Sequence, residues 1–152
     1  MIRLAEAADR AAVQALYQEL RPDDPELSEA QAQQAWQIML DDPTCFIIVA
    51  EQNGQLAATC ALGLNNSIAN GARPFGIIEH VITAEAFRRQ GLSQQVLEFA
   101  IELAWQHNCY KVMLLSGEQL TGAHRVYEKV GFQAGIEKGF VIKPGTATVN
   151  AL

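Results

Sequence analysis

The first half of the chain alternates between helical and extended hydrophobic patterns. Residues 2–4, two apolar residues with Arg3 between them, are a candidate for a short strand. Apolar residues between positions 9 and 20 recur at the spacing of one helical face, so we expect a helix that ends at the proline-rich stretch 21–25. Ser28, with Gln31 three residues later, has the signature of a capping box and predicts the start of a second helix.

Extended patterns dominate the middle of the chain. Residues 45–51 and 55–64 are rich in apolar and β-branched residues, and Asn53-Gly54 between them predicts a tight hairpin because both residues tolerate a positive φ. A polar, glycine-containing loop is expected over residues 65–74. A third long strand is expected over residues 75–83.

The second half of the chain returns to mixed patterns. Residues 92–107 carry one apolar helical face, residues 111–115 predict a buried strand, and residues 122–130 predict a short helix closed by Gly131. A final hairpin is expected over residues 132–142. The strand–helix–strand unit from 75 to 115 requires a parallel, right-handed crossover within a sheet otherwise made of hairpins. The sequence therefore predicts a mixed α/β sheet covered by helices, in a single domain over residues 1–152.

Composition and charge exclude several classes of protein. The net charge of −6 disfavours a nucleic-acid partner, because phosphate-backbone binding depends on clustered lysine and arginine. The sequence contains no apolar run of the ~18 residues that a membrane span needs, and the first six residues do not resemble a signal peptide. Cys45, Cys60 and Cys109 lack the spacing of a disulfide framework or a zinc site, so we expect buried thiols, no metal and a cytoplasmic location.

The junction at residues 88–93, Arg-Arg-Gln-Gly-Leu-Ser, is the main candidate for chemistry. It lies between a predicted strand and the start of the longest predicted helix. Such a junction leaves several backbone N–H groups without partners and places the positive end of the helix dipole behind them. A pyrophosphate fits this arrangement, although a solvated arginine-rich turn is an alternative interpretation of the same residues.

Three segments, in this order, resemble one known family. Arg88, Gly91 and Ser93 occupy the places of a pyrophosphate motif that runs Gln or Arg, two residues, Gly, one residue, Gly or Ala; the serine is a departure. Residues 76–83 are similar to the family's central strand. Residues 123–132 are similar to its late helix, which commonly ends in Tyr-Glu-Lys-x-Gly-Phe. On these motifs the chain resembles the GNAT family of acetyl-CoA-dependent N-acetyltransferases, in a bacterial subgroup of small proteins whose acceptor the sequence does not identify.

The resemblance implies a site for acetyl-CoA. Two parallel strands should splay apart, and the backbone of the first should pair with the pantetheine arm while amides of residues 89–94 hold the diphosphate. Leu120 stands where many relatives have an asparagine that touches CoA, and Ser116 and His124 are expected to substitute for it. The residues expected to bind the co-substrate are Val81, Ile82, Thr83, Arg88, Arg89, Gln90, Gly91, Leu92, Ser93, Gln94, Ser116 and His124.

The resemblance also implies two catalytic side chains. Glu79 lies in an apolar run, where we expect it to be buried, and matches a glutamate that serves as the base; a purely structural glutamate is the alternative. Tyr127 resembles the acid that protonates the departing thiolate, although it also belongs to a core-facing stripe. His80 should face the opposite side of a regular strand from Glu79, unless a bulge of the kind the family often has turns it into the site.

The sequence therefore predicts an enzyme that transfers acetyl from acetyl-CoA to a primary amine by direct attack in a ternary complex. A small-molecule amine acceptor and a homodimer are expected. The first alternative is a CoA-binding regulatory or interaction module without efficient catalysis, which Ser93 and the missing asparagine favour. The second is an enzyme that acetylates a protein N-terminus or lysine, which differs only in the acceptor.

Overall fold

A computed structural model describes residues 1–145 of the chain. Along the chain the elements are β1 (Ile2–Leu4), α1 (Arg10–Leu20), α2 (Glu29–Asp41), β2 (Cys45–Gln52), β3 (Gln55–Asn65), α3 (Ala69–Ala72), β4 (Phe75–Thr83), α4 (Leu92–Gln106), β5 (Val112–Met113) and α5 (Thr121–Lys129). Short 3₁₀ turns at Ala7–Asp9 and Glu85–Phe87 precede α1 and follow β4.

One mixed sheet organises these elements, in the order β1-β2-β3-β4-β5. The first three pairings are antiparallel, and β4 pairs with β5 in parallel across the α4 crossover. Helix α4 packs on one face through Val96, Leu97 and Ala100, whereas Val13 of α1 and Trp36 of α2 pack on a second cluster that includes β2. The predicted mixed α/β fold is confirmed.

Two local signals in the sequence act as expected. The Ser28 hydroxyl accepts a hydrogen bond from the Gln31 amide at 3.2 Å, and the Ser28 amide donates to the Gln31 side chain at 3.0 Å, so the capping box forms. Asn53 and Gly54 both have positive φ, of 55° and 76°, and join β2 to β3 in a tight hairpin.

Strand β4 is irregular at two places that matter for the site. Ala61 pairs with Glu79 and Thr59 with Ile82, so two residues of β4 oppose one residue of β3 in a bulge. On its other side β4 pairs with β5 only at Gly76 and Ile77. The rest of β4 therefore diverges from β5, and its backbone faces an opening, as the splayed-strand prediction requires.

Two predictions about the last third of the chain are wrong. Residues 111–115 do not form a buried strand: only Val112–Met113 pair, and the Leu115 side chain is 66% exposed. Residues 132–142 form no hairpin, because the two-residue β5 offers too short an edge to pair with, and Phe140 is exposed. The expected loop at 65–74 also contains the short α3, in which Asn70 and Gly71 have positive φ.

Candidate functional site

A cleft opens where β4 separates from β5. It holds a cavity of about 220 Å³ between the end of β4, the start of α4 and the exposed face of α5. Its lining residues are Val81, Ile82, Thr83, Arg88, Ser93, Gly122, Ala123, Val126 and Tyr127. Six of these were expected site residues from the sequence, and the other three come from the first turns of α5.

The start of α4 forms one wall of the cleft. Gly91 is the N-cap residue with φ 76°, and within residues 1–145 no side chain caps the helix at this end. A side chain is unfavourable at such a φ, although the space around Gly91 is open. The first N–H groups of α4 therefore have no intrahelical acceptor and lie at the positive end of the helix dipole, which is a geometry suited to an anion.

Side chains at the cleft mouth are partly engaged with each other. The Thr83 and Ser93 hydroxyl oxygens lie 2.6 Å apart. Arg88 Nε donates to the Thr83 carbonyl oxygen at 3.3 Å, and its guanidinium lies 3.9 Å from Glu19 of α1. Arg88 is thus held at the rim of the cavity, and Ser93 is small enough for the strand and the helix to approach.

The remaining expected residues of this junction expose mainly main-chain groups, rather than side chains, to a ligand. Arg89 is exposed and has φ 66°, which turns the chain into the helix. Gln90 hydrogen-bonds to Gln52, and Gln94 to Glu98. Leu92, the first residue of α4, is buried in the core between this helix and the sheet. A ligand at this junction would therefore meet the main-chain amides of these residues rather than their side chains.

Tyr127 lies on the cavity side of α5. Its ring packs edge-on against Phe132, with centroids 6.3 Å apart, and contacts the core. Burial raises the pKa of the Tyr127 phenol, and the neighbouring Ser116 hydroxyl acts in the opposite direction. Within residues 1–145 the buried Ser116 Oγ has no hydrogen bond of standard geometry, so it is free to interact with the phenol or with a ligand.

The replacements expected for the missing asparagine are only partly in place. His124 Nε2 lies 2.9 Å from the Gly117 carbonyl oxygen and holds the loop before α5. Leu120 precedes α5 and is 49% exposed. Neither His124 nor Ser116 lines the cavity, so the structure brings them near Tyr127 rather than into the cleft itself.

Glu79 is not buried, contrary to the sequence prediction. Its side chain is 59% exposed, at the residue of β4 that begins the bulge. The carboxylate Oε2 lies 3.8 Å from His80 Nε2. The position of Glu79 on the central strand is as expected, but its environment is that of a solvated carboxylate.

His80 occupies the bulge in a left-handed conformation, with φ 56°. Its Nδ1 lies 2.9 Å from Arg21 Nη1, and its ring lies 5.0 Å from the ring of Tyr17, both on α1 or at its end. Burial lowers the pKa of His80, and the charge of Arg21 lowers it further, against smaller opposing effects of Glu79 and Asp24. The bulge has therefore brought His80 towards α1, and close to Glu79.

Sequence reasoning missed the partners of His80. Arg21 was interpreted only as part of a helix stop, and 59 positions separate it from His80. Glu19 was also missed; its carboxylate accepts from the Glu85 amide at 2.8 Å and ties α1 to the turn after β4. No local pattern in the sequence indicates either contact, because both depend on how α1 crosses the sheet.

The described residues contain neither a metal-binding cluster nor a membrane-spanning helix. In the described part of the chain, no group of three or more histidine, cysteine or carboxylate side chains is arranged to hold a metal ion. Among the helices of residues 1–145, none is long and apolar enough to cross a membrane.

A match to a known family profile identifies the family of this chain. The profile of the Acetyltransferase (GNAT) family matches residues 13–132, which is well over half of the chain. The chain belongs to this family. The matched region includes the bulged strand β4, the α4 junction and α5, which border the cleft.

Individual relatives agree with this GNAT assignment. The solved structure "Putative acetyltransferase from Agrobacterium tumefaciens str. C58" is 40% identical, with a TM-score of 0.89, and the alignment covers 95% of this chain and 99% of that one. A glucosamine 6-phosphate N-acetyltransferase of Trypanosoma brucei brucei is 30% identical over 55% of this chain and 55% of its own length. The chain spans about half the length of the curated relatives it matches.

A second solved structure that shares the fold is a complex with acetyl-CoA. It is a predicted acetyltransferase with acetyl-CoA from Clostridium acetobutylicum, 21% identical, with a TM-score of 0.74 over 93% of this chain and 95% of that one. At this identity the likeness concerns the fold.

Proposed function

We propose that this chain is an N-acetyltransferase that moves the acetyl group of acetyl-CoA directly to a small primary amine within a ternary complex. The observation that carries the proposal is the cleft. The half of β4 that does not pair with β5 and the start of α4 meet there around one cavity. An extended arm can pair with the strand while a diphosphate contacts the helix amides. GNAT membership and a fold shared with an acetyl-CoA complex support this assignment.

The residues present fit acetyl-CoA. Backbone groups of Val81, Ile82 and Thr83 on the open side of β4 hold the pantetheine arm, and amides of residues 89–94 hold the diphosphate. Arg88 at the rim of the cavity adds positive charge next to that anion. The Ser93 hydroxyl is held by Thr83 at 2.6 Å, so this departure from the family motif still leaves the helix start accessible.

Two side chains move protons in the proposed reaction. The acceptor amine loses a proton to the Glu79 carboxylate, directly or through water, as its nitrogen forms a bond to the acetyl carbon. The carbon–sulfur bond then breaks, and the Tyr127 phenol gives its proton to the CoA thiolate. Burial raises the pKa of Tyr127, which keeps the phenol protonated and able to donate at neutral pH. The exposure of Glu79 suits a base that works through solvent.

The acceptor we propose is a small amine, with amino sugars as the first group to test. This class comes from the names of the curated relatives, which are glucosamine 6-phosphate N-acetyltransferases matched over about half their length. The net charge of −6 is compatible with a cationic or neutral amine.

The direct test is release of free CoA thiol from acetyl-CoA across a panel of amino sugars, amino-sugar phosphates, polyamines and lysine peptides. The proposal expects turnover with at least one small amine. It also expects Glu79→Gln to lower kcat by about 10²-fold, while the exposed carboxylate variant Glu102→Gln, on α4, keeps wild-type kcat. Turnover only with lysine peptides would contradict the small-amine acceptor, and equal kcat for Glu79→Gln and wild type would contradict the assigned base.

A second function is favoured by specific observations. Leu120 replaces a residue that touches CoA in relatives, and Glu79 is exposed, so a CoA-binding module without efficient catalysis fits the same cleft. This alternative predicts acetyl-CoA binding with no turnover above background for any amine in the panel.

We also propose that the protein is a cytoplasmic homodimer. The three free cysteines support a cytoplasmic location, because the cytoplasm is a reducing compartment. Apolar side chains exposed beside the edge strand β5, such as Leu115 and Phe140, support contact between copies, because monomers rarely expose large apolar patches. Light scattering should give about twice 16.6 kDa for the wild type and a monomer for Phe140→Asp, with Ile68→Asp as an exposed control elsewhere.

A further inference from the structure

The bulge in β4 places two adjacent polar residues close to each other. In a regular strand, Glu79 and His80 would point to opposite faces. Here, His80 takes φ 56°, and its Nε2 lies 3.8 Å from Glu79 Oε2. A left-handed conformation is uncommon for residues other than glycine, although histidine adopts it more often than most, and such conformations cluster at functional sites. The backbone and ring of His80 are therefore candidates for a role in the site.

Arg21 determines what the His80 ring can do chemically. The distance of 2.9 Å between Arg21 Nη1 and His80 Nδ1 is that of a hydrogen bond. A guanidinium can only donate, so Nδ1 must accept and cannot carry a proton. A neutral imidazole with a free Nδ1 lone pair carries its proton on Nε2. Because the lone pair is used by Arg21, neither ring nitrogen is available to take a proton from a substrate.

The surroundings keep the ring neutral. Tyr17 packs against the ring at 5.0 Å and Arg21 adds positive charge from α1, and both burial and this charge lower the pKa of His80. Glu79 on β4 and Asp24 in the loop after α1 act in the opposite direction with smaller effect. Among the charged groups that face His80, the cation at Nδ1 thus has more influence than either carboxylate.

We propose that Arg21 is a positioning residue that fixes His80 in its neutral Nε2–H tautomer, so that His80 offers a hydrogen-bond donor to Glu79, and Glu79 alone serves as the base. The proposal rests on the proposed acetyl transfer. The distance of 3.8 Å between Nε2 and Oε2 is longer than a direct hydrogen bond, so the N–H reaches the carboxylate after a small movement of either side chain or through a water beside the pair. His80 is therefore assigned a donor role, in contrast to a proton-accepting histidine.

The tautomer can be measured without any activity. The chain has three histidines, so two-dimensional ¹H–¹⁵N spectra of the imidazole nitrogens at pH 7.5, with His80→Gln to assign the signal, identify His80. We expect an Nε2-protonated ring in the wild type and in Arg21→Lys, which keeps a cationic donor. Arg21→Met, which keeps the stem and loses the donors, should give a mixture of tautomers. An Nδ1-protonated ring in the wild type, or identical spectra for wild type and Arg21→Met, would overturn the proposal.

Kinetics distinguish a donor from a base. The glutamine amide nitrogen reaches the place of Nε2, whereas asparagine reaches only the place of Nδ1. Asparagine tolerates the left-handed backbone better, so strain cannot explain a loss in that variant. We expect kcat of His80→Asn to be about tenfold or more below that of His80→Gln, the size of one charge-assisted hydrogen bond. Equal losses in both variants would indicate a base, and no loss in either would indicate no role.

Failure of this inference and failure of the proposed function can be told apart. If no amine is acetylated, the spectra still report whether Arg21 fixes the tautomer of His80. If acetylation occurs but the spectra of wild type and Arg21→Met coincide, only the positioning role of Arg21 is lost.

Discussion

Two neighbouring features of the structure shift the pKa of the Tyr127 phenol in opposite directions. Burial against the core raises its pKa, whereas the nearby Ser116 hydroxyl lowers it, and burial has the larger effect. The ring is also held by Phe132, so the oxygen has a defined place at the wall of the cavity. A phenol of this kind remains protonated at neutral pH and is suited to donate a proton rather than to accept one.

Replacing Tyr127 with phenylalanine should therefore affect turnover more than binding. The ring and its packing remain, so acetyl-CoA affinity should change little, while kcat should fall by up to about 10²-fold, the contribution of one general acid. Steady-state kinetics and calorimetry measure the two quantities. Tyr110→Phe, in which a half-buried phenol packs against Phe75 away from the cavity, is the matched control. A kcat equal to that of Tyr110→Phe would remove Tyr127 from the mechanism.

His80 should make stability depend on pH. Its native pKa is lowered, so the unfolded state binds more protons once the pH approaches the unfolded value of about 6.5. Above that pH the neutral His80 ring makes its full contribution to the free energy of unfolding. This contribution is lost as the pH falls from the unfolded pKa through the lowered native pKa. The Tm difference between wild type and His80→Gln should thus shift against the wild type between pH 7.5 and pH 5.5. A difference that is the same at both pH values would contradict a lowered pKa.

At the residue scale, most of the candidate site residues that the sequence predicted lie in short, continuous motifs. The junction at 88–93 was predicted because glycine, small residues and arginine meet at a strand–helix boundary, and Tyr127 because it begins the motif Tyr-Glu-Lys-x-Gly-Phe. The burial of Glu79 was mispredicted, because apolar neighbours along β4 do not reveal which face a helix covers. Arg21 could not be found, since its contact with His80 depends on tertiary packing.

Elements with strong end signals formed where the sequence placed them. The Asn53-Gly54 turn and the Ser28 capping box each depend on backbone conformations that few residue types favour, so these boundaries were predictable. Residues 111–115 and 132–142 carry strand-like composition without such signals. Whether they pair depends on an available edge, and the short β5 provides little of one. Composition alone therefore overestimated the sheet.

The cap of α2 gives a test at this scale. Ser28→Ala removes the acceptor for the Gln31 amide and should lower the free energy of unfolding by about 1 kcal/mol. Ser28→Thr, which keeps the hydroxyl, should lose much less. Urea unfolding followed by circular dichroism measures both. Equal stability of Ser28→Ala and Ser28→Thr would mean that the capping box contributes nothing to α2.

In the molecule as a whole, charge and topology place the positive potential at the cleft. The chain has a net charge of −6, yet Arg88, Arg89 and the uncapped start of α4 lie together beside the unpaired half of β4. This local field is what an anionic co-substrate requires, because fixed dipoles and charges act at short range even in an acidic protein. The central claim is therefore that the amides after Arg88 hold the diphosphate of acetyl-CoA.

Calorimetric titration of acetyl-CoA into a matched pair of variants tests this claim most directly. Gly91 and Gly71 have similar φ, of 76° and 72°, and open space around them, so Gly91→Asp and Gly71→Asp carry similar backbone strain and the same added charge, one at the start of α4 and the other in α3, before the opposite end of β4. We predict that Gly91→Asp binds at least about tenfold more weakly than the wild type, or about 1.4 kcal/mol, and that Gly71→Asp binds like the wild type. Equal affinity of the two variants would contradict a diphosphate site at this junction.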